Sequence, residues 1–197
     1  EMCIRDSFGT EEQKQLLPRT LQGDLLWCQL VSEPSAGIDL AAVRTRAVRE
    51  GDQWVIKGQK VWTSGAQVAD YGILLARTDP DLPKHQGLTF FLLDMRLPGV
   101  DVRPIKQISG HSEFNEVFFD DVVLNDTCRL GEINQGWSVA MHALTAERFK
   151  RLNTRMPSMQ SVLQLAEDCA LEGVKAIDVD SVRQQLAGSL ATVSYTH

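Results

Sequence analysis

No apolar run in this chain approaches the ~20 residues that a membrane-spanning helix needs. The longest candidates, such as Thr89-Phe90-Phe91-Leu92-Leu93, have strand length. No signal-peptide pattern precedes the first structured segment. Cysteine is sparse: Cys3, Cys28, Cys128 and Cys169 lie far apart and form no CxxC pair, which argues against a disulfide scaffold. Small buried thiols in a reducing compartment are expected instead, cytoplasmic or, in a eukaryote, the mitochondrial matrix. The four histidines make no HExxH or other ligand spacing, so no metal site is expected. Neither a GxGxxG nor a P-loop is present, which removes local support for the phosphate-binding βαβ folds. Basic charge is not in excess either. Lys and Arg number 20 against 26 Asp and Glu, a net charge of −6, so sequence-independent nucleic-acid binding is not expected.

What is present is an ordinary globular composition, 43% hydrophobic and 23% charged. It falls into three zones. Residues 8–24 read as helical, with Thr10 and Gln13 spaced as a capping box, a short apolar face of Leu16, Leu17 and Leu21, and Pro18 as an interruption. Residues 25–130 hold most of the prolines and frequent glycines between strand-like runs. Those runs are 43–48, 54–57, 60–62, 72–77, 88–94, 100–105 and 116–124, with Gly58-Gln59 breaking the second from the third. Asp120-Asp121 reads as a surface turn. Residues 131–192 turn helical again, with helices expected near 137–152, 158–174 and 179–190 and Asp178 or Asp180 as a cap. Short strands without crossover helices predict an α+β fold, an antiparallel barrel-like sandwich flanked by helical segments.

Two segments stand out. In Gln29-Leu30-Val31-Ser32-Glu33-Pro34-Ser35-Ala36-Gly37-Ile38-Asp39 a strand ends in a hydroxyl, a carboxylate and a small-residue loop that lets backbone N–H groups approach a ligand. In Gly58-Gln59-Lys60-Val61-Trp62-Thr63-Ser64-Gly65, period two puts Trp62 and Ser64 on one side. An indole wall beside a hydroxyl suits a flat heteroaromatic ligand. Taken separately, each segment also fits ordinary packing: a strand-to-loop exit, and a core tryptophan before a turn serine.

Together, and in order with Gly99–Ile105 (GVDVRPI), Phe114–Leu124 (FNEVFFDDVVL), Gly131–Trp137 (GEINQGW) and Ala146–Arg148 (AER), Ser32–Leu40 and Gly58–Ala66 resemble the acyl-CoA dehydrogenase family over roughly residues 8–155. The resemblance implies the end of an N-terminal helical domain (8–24), a middle β-domain (25–130) and the start of a C-terminal helical domain (131–192). It also implies FAD as cofactor. Gln29, Val31 and Ser32 would lie along the flavin, with the Ser32 hydroxyl at its edge. Trp62 would pack on the isoalloxazine, and the Ser64 hydroxyl would lie near N5. Gly37 and Ile38 match positions near the phosphates and the acyl-CoA. The family usually has Ser where Ile38 stands, and Ile cannot supply that hydrogen bond. Asp39 matches an acidic residue that braces the loop.

The implied reaction is α,β-dehydrogenation of an acyl-CoA thioester, with a carboxylate taking the α-proton while hydride goes to the flavin. Glu147 matches the base of those branches that carry it on an early C-terminal helix; a surface pair with Arg151 at i,i+4 is the other reading. An electron-transfer flavoprotein as acceptor and a dimeric or tetrameric assembly, homo- or hetero-oligomeric, are implied as well. A flavin monooxygenase or acyl-CoA oxidase on the same fold, and a non-catalytic partner subunit, are the alternatives. The chain starts at Glu1 rather than Met, and residues 1–7 and 193–197 do not look like the family. The expectation is an internal piece with non-native ends, inactive alone.

Overall fold

A computed structural model of the chain describes residues 6–153, 159–171 and 173–196, with side chains at 6–147, 161–171 and 173–189. Two compact units result, one ending at Glu147 and the other beginning at Arg148.

The first unit opens with two short helices. At α1 (Glu11–Lys14), Gln13 N–H donates to Thr10 Oγ1 at 3.3 Å and Thr10 N–H to Gln13 Oε1 at 3.0 Å, the expected capping box. The same Gln13 donates from Nε2 to the carbonyls of Thr127 (2.8 Å) and Arg129 (2.9 Å), which fastens the helix to a distant connection. The helical run is interrupted, as expected, between Lys14 and Leu17, and Pro18 does not sit in a helix interior. It lies in the first turn of α2 (Leu17–Gln22), where its missing N–H has no intrahelical partner to lose.

Eight strands follow: β1 (Trp27–Leu30), β2 (Arg46–Glu50), β3 (Gln53–Ser64), β4 (Tyr71–Arg77), β5 (Leu88–Asp94), β6 (Val100–Ile105), β7 (Phe114–Asn125) and β8 (Arg129–Leu130). They form one sheet in the order β6-β7-β3-β2-β4-β5-β8, with β1 added on β4. Most pairings are antiparallel, as expected, but β1 and a single residue pair of β2 run parallel to β4. The order ends at β6 and β8, so the sheet does not close into a barrel. Strand β3 is continuous through Gly58-Gln59. The irregularity expected there lies on the partner strand, where Ile56 faces Val122 and Gly58 faces Phe119. Asp120-Asp121 is therefore a bulge inside β7 rather than a turn beside it, and Asp121 takes φ +49°.

Strands β4 and β5 are buried on both faces, which is why they read as continuous apolar runs and not as alternation. Leu74, Ala76, Phe91 and Leu93 enter one core with Trp54 and Ile56. Ile73, Leu75, Phe90 and Leu92 enter the other, where Val139 and Ala140 of α3 (Gly136–Asn153) cover them. Each fully buried side chain of this kind contributes about 1.5–3 kcal/mol. The helix approaches the sheet very closely at its first residue: a Cβ at Gly136 would lie 2.8 Å from the backbone of Leu88 and Thr89.

In the second unit, α4 (Met159–Asp168) ends earlier than the expected helix over 158–174. A two-stranded hairpin, β9 (Ala170–Leu171) with β10 (Val174–Lys175), takes its place, and Gly173 at φ +82° sits in the turn. A 3₁₀ turn at Ala176–Asp178 leads into α5 (Asp180–Thr196). The expected non-native ends fall partly outside the described residues, at 1–5 and 197; residues 6–8 are helical and α5 runs through Thr196.

Candidate active site

The site begins where β1 ends. Leu30 turns into the core while Gln29 faces outward. Val31 and Ser32 continue half-buried, and Glu33 and Ala36 exchange backbone hydrogen bonds (3.1 and 3.0 Å) that close a tight turn over Pro34-Ser35. Val61 N–H donates to the Ser32 carbonyl at 3.0 Å, so this strap is laid against β3.

At that point β3 carries a second bulge. Lys60 faces Val117 and Thr63 faces Asn115, leaving one extra residue on β3. Lys60 and Val61 are both buried in succession, and the phase recovers with Trp62 and Ser64 outward and Thr63 inward. Trp62 adopts φ +59°, a left-handed conformation rare for a bulky residue, and its side chain is 62% exposed. The geometry is held from both sides. Asn115 Nδ2 donates to the Thr63 carbonyl at 3.0 Å, and Phe114 meets the indole edge-on at 6.2 Å.

These two segments face one cavity of about 290 Å³, lined by Gln29, Val31, Ser32, Trp62, Ser64 and Glu147, with Trp27, Cys28 and Val61 completing it. The structure thus brings together all the residues expected at the ring of a flat ligand and the expected base. Half-buried Glu147 reaches the cavity from α3. The Arg151 side chain lies outside the described residues, so the alternative pairing of Glu147 is not described. Gly37 and Ile38, expected near substrate, do not line the cavity. Both are exposed on the loop beyond Ala36. Asp39 on that loop pairs with Lys84 at 2.8 Å.

Chemically, the cavity offers an exposed indole face, two hydroxyls able to donate or accept, and a carboxylate able to take a proton. At about 290 Å³ it lies just below the roughly 300–1,000 Å³ of ligand pockets.

Two buried residues of the same two motifs, Glu33 and Lys60, join next to the cavity. Lys60, 0% exposed, donates from Nζ to Glu33 Oε1 at 2.8 Å and to the Val31 carbonyl at 3.0 Å. Glu33, also buried, accepts from the backbone N–H of Arg44 (2.6 Å) and Thr45 (2.9 Å). Burial alone would raise the Glu33 carboxyl, but the Lys60 ammonium and the two amides outweigh it and hold it below the usual carboxylate range. Burial also pulls Lys60 down to about 8, against the opposing pull of Glu33. The available signal was one acid and one base placed in two motifs that meet.

The fold and the site define a β-sheet domain with a ring-sized cleft walled by a strained strand bulge. Residues 28–122 match the model of the acyl-CoA dehydrogenase middle domain. The acyl-CoA dehydrogenase FadE34 of Mycobacterium tuberculosis is 53% identical over 141 residues, which span 71% of this chain and 20% of that protein. The solved ChsE4-ChsE5 complex from Mycobacterium tuberculosis is 33% identical with a TM-score of 0.75, covering 98% of this chain and 51% of that one. An acyl-CoA dehydrogenase from Geobacillus kaustophilus is 26% identical with a TM-score of 0.80, covering 98% of this chain and 53% of the other. The chain belongs to the acyl-CoA dehydrogenase family. It spans about half the length of those solved chains, and a smaller share of FadE34.

Proposed function

We propose that the complete protein containing this chain is an FAD-dependent dehydrogenase of an acyl-CoA thioester, and that this chain supplies its flavin-ring wall and its base. The observation that carries the reading is the convergence of Trp62, the Ser32 and Ser64 hydroxyls and Glu147 on one cavity. Bound flavin would supply the two-electron acceptor. Trp62 would cover one face of the ring, and the Ser32 and Ser64 hydroxyls would hydrogen-bond its edge and fix its plane. Glu147, half-buried on the same cavity, would take the α-proton of the substrate. An electron-transfer flavoprotein would then reoxidise the cofactor, in a homo- or hetero-oligomeric enzyme.

Replacing Glu147 with Gln in the complete protein tests this. FAD binding is expected to persist, while anaerobic reduction of the flavin by acyl-CoA falls by about 10²–10⁴-fold, the range for a lost general base. Undiminished reduction removes Glu147 from the mechanism.

A second reading has one observation in its favour. The solved Mycobacterium tuberculosis relative is the ChsE4-ChsE5 complex. On that reading this chain completes a flavin site shared with a partner subunit, and E147Q leaves the turnover of the assembled complex unchanged.

A further inference from the structure

We propose that the buried Glu33–Lys60 pair is a positioning device for the flavin ring: it locks the strap that carries Ser32 to the strand bulge that carries Trp62 and Ser64. This rests on the flavin reading above and deepens it.

The two walls of the cavity come from segments about 30 residues apart, and three hydrogen bonds among the described residues join them directly. Val61 N–H to the Ser32 carbonyl is one. The Lys60 ammonium supplies the other two, at 3.0 Å to the Val31 carbonyl and 2.8 Å to Glu33. Lys60 is the last residue in register before the bulge, since it still faces Val117 while Trp62, two residues on, is already left-handed. Holding Lys60 therefore sets where the bulge begins and where the indole points. Glu33 in turn grips the amides of Arg44 and Thr45, so the strap is tied to the chain entering β2 as well. A buried ion pair is weak grounds for stability, because a well-packed apolar pair of similar shape often does as well. Here one bond reaches the Val31 carbonyl of the cavity wall and two tie Glu33 to the amides of Arg44 and Thr45 ahead of β2, which an apolar pair cannot do. The location thus points to geometry as the property served.

The complete protein, purified with and without FAD, decides the matter with K60M and the double variant E33Q/K60M. K60M leaves a buried carboxylate uncompensated and is expected to lower the melting midpoint sharply. E33Q/K60M removes both charges and is expected to regain most of that loss. Its FAD dissociation constant is nonetheless expected to rise about ten- to a hundredfold, because the hydrogen bond to Val31 is still missing. The flavin absorption maxima and the quenching of flavin fluorescence, read on the folded fraction, are expected to shift with it. A folded double variant with unmodified FAD affinity and an unmodified flavin spectrum overturns the proposal. Should neither variant fold, the unmodified protein still answers: the Lys60 ammonium ¹⁵N resonance is expected to move when FAD is added, and a resonance indifferent to FAD overturns the proposal. If the unmodified protein takes up no FAD, it is the flavin reading itself that fails.

Discussion

At the residue scale, Trp62 shows a side chain held in a conformation that its own chemistry disfavours. A left-handed backbone costs an L-residue about 1–2 kcal/mol, and the exposed indole recovers little of that by burial. The strain is stored at the wall of the cavity, where a ligand would use the face presented. Asn tolerates this backbone region better. W62N is therefore expected to keep or raise the melting midpoint while weakening flavin binding by at least about tenfold, the loss of one ring-stacking contact. Calorimetry and a flavin titration on the same preparation check the two halves. A variant that loses stability in step with affinity would show that the indole is packing and not a ligand wall. Nothing in the local sequence announces the left-handed turn. Period two puts Trp62 and Ser64 on the same side, as observed, but only the pairing with β7 reveals the extra residue that buries Val61 directly after Lys60.

At the element scale, what could be read locally was read well. The capping box at Thr10 and Gln13 lies within one turn, and β4, β5 and β6 are apolar or alternating runs bounded by turn residues. What depends on distant partners was not readable. The parallel placement of β1 against β4, the Glu33–Lys60 contact and the bulge on β7 are all set by tertiary pairing. The hairpin that replaces the end of α4 failed for a different reason: Cys169-Ala170-Leu171 suits a helix until Gly173 supplies a turn. The junction of α3 with β5 offers a direct test of packing. The atoms facing Gly136 are backbone, which cannot rotate away. G136A is expected to destabilise the first unit by about 1–3 kcal/mol through overpacking, measured by urea unfolding with Trp fluorescence. An unchanged midpoint would mean that α3 does not sit this tightly on the sheet.

At the scale of the whole molecule, the cavity is ring-sized and the chain covers about half of the solved relatives. The chain by itself is therefore expected to discriminate poorly between riboflavin and FAD, with dissociation constants within about tenfold of each other. The complete protein is expected to prefer FAD strongly. Parallel fluorescence titrations of both ligands against both proteins check this. A strong FAD preference in the chain alone would mean that the dinucleotide's far half is also held here. Among the described residues no helix is long and apolar enough to cross a membrane.

The open ends of the sheet have a consequence for how such a chain behaves at high concentration. A terminal strand presents unpaired amides and carbonyls to any other strand that arrives. One end here is β6, which among the described residues pairs only with β7, and it carries Asp101, Arg103 and Pro104 within six residues. Opposite charges and a missing amide make it a poor template for a further strand. The other end, β8, is two residues long, too short to recruit anything. At both ends of that strand order, growth between molecules is thus opposed by what the last strands lack.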